Sequence, residues 1–388
     1  MIMKTKVLAL TGIRSEYDLL FPLLKALDKD NQFDLRIVVS GAHLSPLHNY
    51  SISQIEKDGF YIADKIETLL YSDSLMGKVK SSAVLMQSLP QTLEREKPDF
   101  LIILGDREEA IIGALTAAYM NIPVIHLAGG DNTLPKDGDV DEQVRHATTK
   151  LSHVHLTMTE AHSERIRKLG EENWRIHTVG SGGIDRLRAE PEISVKQMSN
   201  FLGNGVENDY VILIYHSLPS NIDVISDELK ICFESIIEQD LHVYVGSPNS
   251  DPGSQKILEV IDGYKHYSNV HIYNNLPRTE FVNLLRNAKC LIGNSSLAFH
   301  EASYLGLPAI NIGERQRGRT AGENVKFVNS GKKEFQLALK RAVHDPQYRY
   351  SIKKDRFIYG DGYMAEKSIE ILKKLPSKRE LLAKRITY

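Results

Sequence analysis

Cysteine is nearly absent from this sequence: Cys232 and Cys290 are the only two in 388 residues, and each lies in an apolar run, LKICFESII and NAKCLIG. That placement predicts buried free thiols in a reducing compartment and argues against a disulfide framework or a cysteine metal site. Charge of one sign is lacking too. Lys+Arg 48 against Asp+Glu 50 leaves a formal net charge of −2, so no overall field draws the molecule to nucleic acid or an anionic membrane. Any anion site must be local. No apolar run approaches the roughly 20 residues of a membrane span. The start, MIMKTKVLALTGIRSEY, passes from two lysines through a short apolar run back to charge, without the apolar core and cleavage site of a secretory signal. A cytoplasmic protein with neither nucleic-acid nor membrane partners is expected. Repeats and low-complexity tracts are missing as well.

What is present is an ordinary globular composition, 42% hydrophobic and 25% charged, with apolar material for two domains of common size. Short β-rich apolar runs alternate with longer amphipathic stretches, the pattern of parallel α/β architecture. KVLALTG (6–12), FDLRIVVSG (33–41), DFLIILGD (99–106), IPVIHLAGG (122–130), VHLTMT (154–159) and RIHTVG (175–180) form a first series of strands. DYVILIYH (209–216), LHVYVG (241–246), NVHIYN (269–274), KCLIGN (289–294) and LPAINIG (307–313) form a second. Runs this apolar fit parallel strands covered on both faces. Between them lie helical segments such as DLLFPLLKALDKD and ELKICFESIIEQD. Two successive doubly wound units follow, residues 1–185 and 186–362, joined near SGGIDRLRAEPEIS. The last segment, 363–388, reads as a helix with a basic, solvated end that packs back on the first unit.

Ligands of open α/β sheets sit beyond the carboxyl ends of the strands, and polar residues collect there. Thr11-Gly12-Ile13-Arg14-Ser15-Glu16 suits a phosphate or a nucleotide edge, and equally a capping turn with a surface arginine. His43 after the second strand reads as a ligand contact or a packed loop residue. Gly105-Asp106-Arg107 sets a carboxylate beside an arginine at a helix start, where Asp106 also suits a cap. His126-Leu-Ala-Gly-Gly-Asp131 and the loop after it bring Asp137, Asp139, Asp141 and Glu142 to a helix bearing Arg145 and His146. A calcium loop would need a glycine and a terminal glutamate that are not there, so no metal is expected. In the second half, His216 closes one strand and Asn249 follows another. GNSSLAFHE (293–301) reads as a turn whose small residues open a helix, suited to a phosphate at its positive end, with Glu301 about a turn and a half in and placed to accept ribose hydroxyls. Arg315, Arg317 and Arg319 follow at a spacing of two.

Together GIRSEYD, SGAHLS, LGDREEA, HLAGGD…VDEQVRHATTKLSHVH, YHS, IGNSSLAFHEASYLGLPAINIGERQRGRTAGENV and IYGDG resemble the hydrolysing UDP-N-acetylglucosamine 2-epimerases of sialic- and nonulosonic-acid biosynthesis, over residues 6 to about 370. The resemblance implies a GT-B fold, two Rossmann-like domains facing a central cleft that holds a nucleotide-sugar, in a homodimer or homotetramer without cofactor. It implies that Ser295 and Ser296 cradle the diphosphate, that Glu301 binds the ribose, and that His216, Arg315 and Arg14 join them. Asp106 and Asp141 are the implied catalytic carboxylates, with Arg107 and His146 in support and Asp131 as a further carboxylate. Glu16, His43, Asn249 and Asn294 complete the expected substrate contacts.

The implied reaction converts UDP-N-acetylglucosamine to N-acetylmannosamine and UDP, by elimination to a glycal and rehydration. One departure stands out: the family's His-x-Glu-Gly-Gly stretch has Ala128 where the glutamate belongs. That favours, as an alternative, a UDP- or GDP-N,N'-diacetylbacillosamine substrate with a bulkier, less polar sugar edge. A GT-B glycosyltransferase and a non-catalytic nucleotide-sugar sensor are the readings from other classes.

Overall fold

The computed structural model describes residues 4–46, 50–70, 72, 74–132, 140–203, 205–217, 223–248, 253–274, 276–329, 331–354 and 356–387. The chain divides into two compact units, Met1–Asp185 with Gly360–Tyr388, and Arg186–Tyr359.

Unit 1 is built on β1 (Thr5–Thr11), β2 (Phe33–Ser40), β3 (Ile62–Ile66), β4 (Phe100–Leu104), β5 (Val124–Leu127), β6 (Val154–Thr157) and β7 (Ile176–Thr178). All pair in parallel, in the order β3-β2-β1-β4-β5-β6-β7. Because side chains alternate across a strand, Val7 and Ala9 face one core with Leu20, Leu24 and Leu27, while Leu8 and Leu10 face another with Leu85, Leu89 and Ala114. Both faces of β1 are therefore dry, which is why its sequence reads as a continuous apolar run.

Unit 2 holds β8 (Tyr210–Ile214), β9 (His242–Gly246), β10 (Val270–Tyr273), β11 (Cys290–Gly293), β12 (Ala309–Ile312) and β13 (Val325–Val328), in the order β10-β9-β8-β11-β12-β13. Renumbered from its first strand this is 3-2-1-4-5-6, the Rossmann order. The order in which successive strands are added reverses in each sheet between its first and fourth strands, the parallel neighbours β1/β4 and β8/β11, and in such sheets a crevice opens there at the carboxyl ends.

The edge strands β3 and β13 lie outside the apolar runs. β3 reads IADKI and is half-buried, and β13 reads VKFV and alternates, since an edge strand needs only one covered flank.

The C-terminal segment differs from a single solvated helix. It forms two helices, Met364–Leu372 and Lys378–Leu382, and a tail bound to unit 1. The Asp185 carboxylate accepts from the backbone N–H groups of Met364 (2.9 Å) and Ala365 (2.8 Å), at the positive end of the first helix. Lys384 is drawn inward by the negative end of the helix Asp141–Leu151. Its ammonium donates to the carbonyls of Lys150 and Ser152, both at 2.6 Å, and lies 2.7 Å from Glu171 Oε2. Burial pushes this lysine down to about 8. No described helix is long and apolar enough to cross a membrane.

Candidate active site

In unit 1 the switch point gathers the turns after β1, β2, β4 and β5. Arg145, almost fully buried on the helix Asp141–Leu151, is the hub. Its guanidinium forms ion pairs with Asp106 and Glu142 and donates to the Asp131 carbonyl at 3.3 Å. Burial alone would lower the guanidinium, and the two carboxylates outweigh it and hold the charge more firmly. Asp131 Oδ1 lies 3.3 Å from Nε2 of the buried His162, and Arg165 fixes the turn by donating to the Gly130 carbonyl at 2.9 Å. Asp141 is exposed at the helix start, and His146 Nε2 lies 3.4 Å from Glu142 Oε2. Asp106, Asp131 and Glu142 thus converge on one cation. Glu142 and Arg145 stand three apart on one helix face, a spacing that marks such a pair in sequence.

Arg107, expected beside Asp106, faces the other way. Its Nε is 3.3 Å from Glu109 Oε2 and 4.0 Å from Glu16 Oε1. Glu16 accepts from the Gly12 N–H at 2.9 Å. A Cβ on Gly12 or Gly41 would lie 2.1 and 2.4 Å from Glu109 Oε1, so only glycine leaves space for that carboxylate. Burial, then the Glu109 charge, raise Glu16 to about 8, and burial raises Glu109 as well. His43 is buried, bonded through Nε2 to Thr11 Oγ1 (3.1 Å) and through Nδ1 to Ser51 Oγ (2.8 Å), and burial lowers it to about 4. Glu16 and His43 therefore shape the walls of the turns, while Arg14 is largely exposed beside Asp18 at 3.8 Å. Ala128 sits in the left-handed region at φ 60°, with its methyl against the apolar core.

In unit 2 the GNSS stretch occupies the β8/β11 switch point. Gly293 has φ 129°, and a Cβ there would lie 1.9 Å from the Ile214 carbonyl. The Asn294 amide is engaged reciprocally with the backbone of His216, accepting from its N–H and donating to its carbonyl, both at 2.8 Å. The Asn294 carbonyl accepts from Arg315 (3.0 Å) and Gln316 (3.1 Å). Asn294 is thereby a clamp that aligns His216, Ser295 and Arg315. The helix expected from Ser295 onward begins instead at Glu301 and runs to Leu305, preceded by a 3₁₀ turn over Ser296–Ala298. At the break the Ala298 carbonyl, which a continuous helix would have given to residue 302, accepts from the Asn324 amide at 3.0 Å. Glu301 is the first helical residue, and burial raises its carboxyl to about 7. Arg317 pairs with Glu314 (2.7 Å) and donates to Asn329 (2.7 Å), so it ties the loop together. Asn249, Asp137 and Asp139 lie outside the described residues.

Two Rossmann-order sheets, one ending in carboxylates around an arginine and the other in a glycine–serine turn backed by an arginine, define a two-domain α/β enzyme of the GT-B kind. The chain belongs to the UDP-N-acetylglucosamine 2-epimerase family, whose model matches residues 25–373. It is 32% identical to the UDP-N,N'-diacetylbacillosamine 2-epimerase (hydrolyzing) of Legionella pneumophila over 99% of each chain. It is 31% identical to the GDP/UDP-N,N'-diacetylbacillosamine 2-epimerase (hydrolyzing) of Campylobacter jejuni, covering 83% of this chain and 84% of that one. The fold is shared with the crystal structure of UDP-GlcNAc 2-epimerase from Neisseria meningitidis bound to UDP-GlcNAc, at a TM-score of 0.78 and 22% identity, over 96% of this chain and 100% of that one.

Proposed function

We propose that this enzyme hydrolyses UDP-N,N'-diacetylbacillosamine with inversion at C2, releasing UDP and the free 2-epimeric sugar. The observation that carries the reading is Ala128. At the turn between β5 and Asp131 it packs its methyl against the apolar core and supplies no carboxylate where the resemblance implies one in a UDP-N-acetylglucosamine enzyme, which favours a less polar 6-deoxy sugar with a second acetamido group. Two relatives above 30% identity carry that sugar in their names. UDP-N-acetylglucosamine is the second reading, supported by the family description.

Unit 2 is assigned the nucleotide: Ser295, Ser296 and Arg315 hold the diphosphate, and Glu301 accepts the ribose hydroxyls. Unit 1 is assigned the chemistry at C1 and C2. A carboxylate from Asp106, Asp131 or Asp141 takes the C2 proton as the C1–O bond breaks, the electron pair of the C–H bond forms the C1=C2 double bond, and UDP leaves with the C–O pair. A proton then returns to the opposite face of C2, and water adds at C1. The C2 proton is weakly acidic, so departure of the diphosphate must be assisted by cations placed in advance. Arg145 fixes Asp106 before substrate arrives, which restricts that carboxylate to one orientation.

The test is proton NMR in D2O with each UDP-sugar. Deuterium at C2 of the epimerised product, with equimolar UDP, is expected, and faster for the diacetamido sugar. A preference for UDP-N-acetylglucosamine would give the second reading. Turnover only with an added acceptor would mean a glycosyltransferase, and UDP binding without turnover of either sugar would mean a sensor. In Asp106→Asn, C2 exchange should fall at least about 100-fold while UDP still binds.

A further inference from the structure

His126 is fully buried one residue before the end of β5, and no role in the reaction described above uses it. Its ring meets three parts of the unit 1 site at once. Nε2 lies 2.8 Å from the Gly105 carbonyl, immediately before Asp106. Nδ1 lies 3.4 Å from Thr149 Oγ1, one helical turn beyond Arg145. A Cβ added to Gly129, two residues before Asp131, would stand 2.9 Å from Nδ1 and 3.2 Å from Thr149 Oγ1, so the ring forms the floor of that turn.

We infer that His126 is a positioning residue for the elimination, a neutral strut that sets the Asp106 turn, the Asp131 turn and the Arg145 helix at fixed mutual distance. The partners dictate its state. A carbonyl oxygen can only accept, so Nε2 carries the hydrogen and Nδ1 is left to accept from the Thr149 hydroxyl. Protonation would place a hydrogen on Nδ1 facing that hydroxyl, within a site already holding the Arg145 and Lys384 cations and the buried His155. Burial first, and those neighbours after it, lower the ring to about 3. Asp106 accordingly has two supports of different kinds. The ion pair with Arg145 holds its carboxylate, and the strut holds its backbone in register with the helix that supplies Arg145. A displacement of about 1 Å at a base costs on the order of 100-fold in rate, which sets the scale of the effect.

This inference rests on the proposed 2-epimerase reading, and one experiment separates the two. Wild type, His126→Gln, His126→Phe and Thr149→Val are compared for kcat and KM with the UDP-sugar, UDP affinity, thermal midpoint and the ¹⁵N shifts of the imidazole. In wild type the Nε2–H tautomer is expected throughout pH 5 to 8. His126→Phe should lose about 100-fold in kcat with UDP affinity kept within about twofold. His126→Gln, whose amide can still donate to Gly105, should recover about a tenth or more of the wild-type rate, and Thr149→Val should lose about 5- to 10-fold. Wild-type kcat in His126→Phe, or an equal loss in the Gln and Phe variants, would overturn the inference. Should the Phe variant not fold, an unchanged kcat in Thr149→Val does the same. If wild type turns over neither sugar, the functional reading fails alone. The strut is then judged by its tautomer: an Nδ1–H or protonated ring overturns it, and the Nε2–H form retains it.

Discussion

Glu301 and Glu16 are carboxyls that burial moves into the range of physiological pH, with different measurable results. With Glu301 raised to about 7, a UDP-sugar lacking a titrating terminal phosphate should bind more tightly as pH rises from 6 to 8, because the carboxylate accepts both ribose hydroxyls and the acid cannot. Calorimetric titration should show this dependence in wild type and its absence in Glu301→Gln; Glu301→Ala should raise KM more than it lowers kcat. Glu16 bears on stability. Its folded-state value of about 8 lies above the ordinary carboxylate value, so the folded state binds the proton more tightly. That contribution is fully present below about pH 4.5 and is lost as pH rises toward 8. Glu16→Gln, which can still accept from Gly12, should flatten the pH dependence of denaturant midpoints between pH 5 and 8.5, by up to a few kcal/mol. An unchanged slope would place the proton elsewhere. Asp106 and Asp131 were legible as site candidates because each follows a glycine turn at the end of an apolar strand. The partner of Asp106 was not. Arg107 is adjacent in sequence, but the helix that starts after it turns its side chain toward Glu109, and Arg145 arrives from 39 residues away.

At the scale of elements, the central strands were readable because parallel pairing buries both of their faces and forces an apolar run. The edges β3 and β13 were not, since one open flank lets Asp64, Lys65 and Lys326 into the strand. The GNSS stretch was legible in place and misleading in form. Its glycine and serines mark a turn at a strand end, yet the helix after it starts later than expected, and the Ala298 carbonyl before it is taken by Asn324, a long-range partner that periodicity cannot reveal. Gly293 tests how tightly this turn is fitted. Gly293→Ala would set a methyl against the Ile214 carbonyl in a strained backbone region. It should cost unit 2 about 2 kcal/mol or more in chemical denaturation and abolish UDP binding. Normal binding by this variant would show that β11 can shift without consequence.

For the whole molecule, the division into two units followed from the repeated strand–helix alternation, whereas the manner of closing unit 1 did not. Lys384 and Arg175 look like ordinary surface cations in sequence. In the structure Arg175 is fully buried and donates to the Leu381 carbonyl at 2.9 Å, and Lys384 is bound to the end of the helix Asp141–Leu151. Lys384→Met should destabilise unit 1 by about 3 kcal/mol, because Glu171 loses one of the cations that hold its buried charge. Unit 2 should unfold as before, and two transitions resolved by limited proteolysis would show this.

The Asp185 carboxylate bound to Met364 and Ala365 has a consequence in time. On the ribosome, residues up to 185 emerge well before their partners in Gly360–Tyr388, and the whole of unit 2 is synthesised in between. The first-made domain is therefore the last to close. Until then Leu20, Leu24 and Leu27 wait without Met364, Ile369 and Leu372, their partners in the finished core. Nascent chains stalled before residue 360 should engage chaperones through this apolar helix face and release them once the C-terminal helix has been translated.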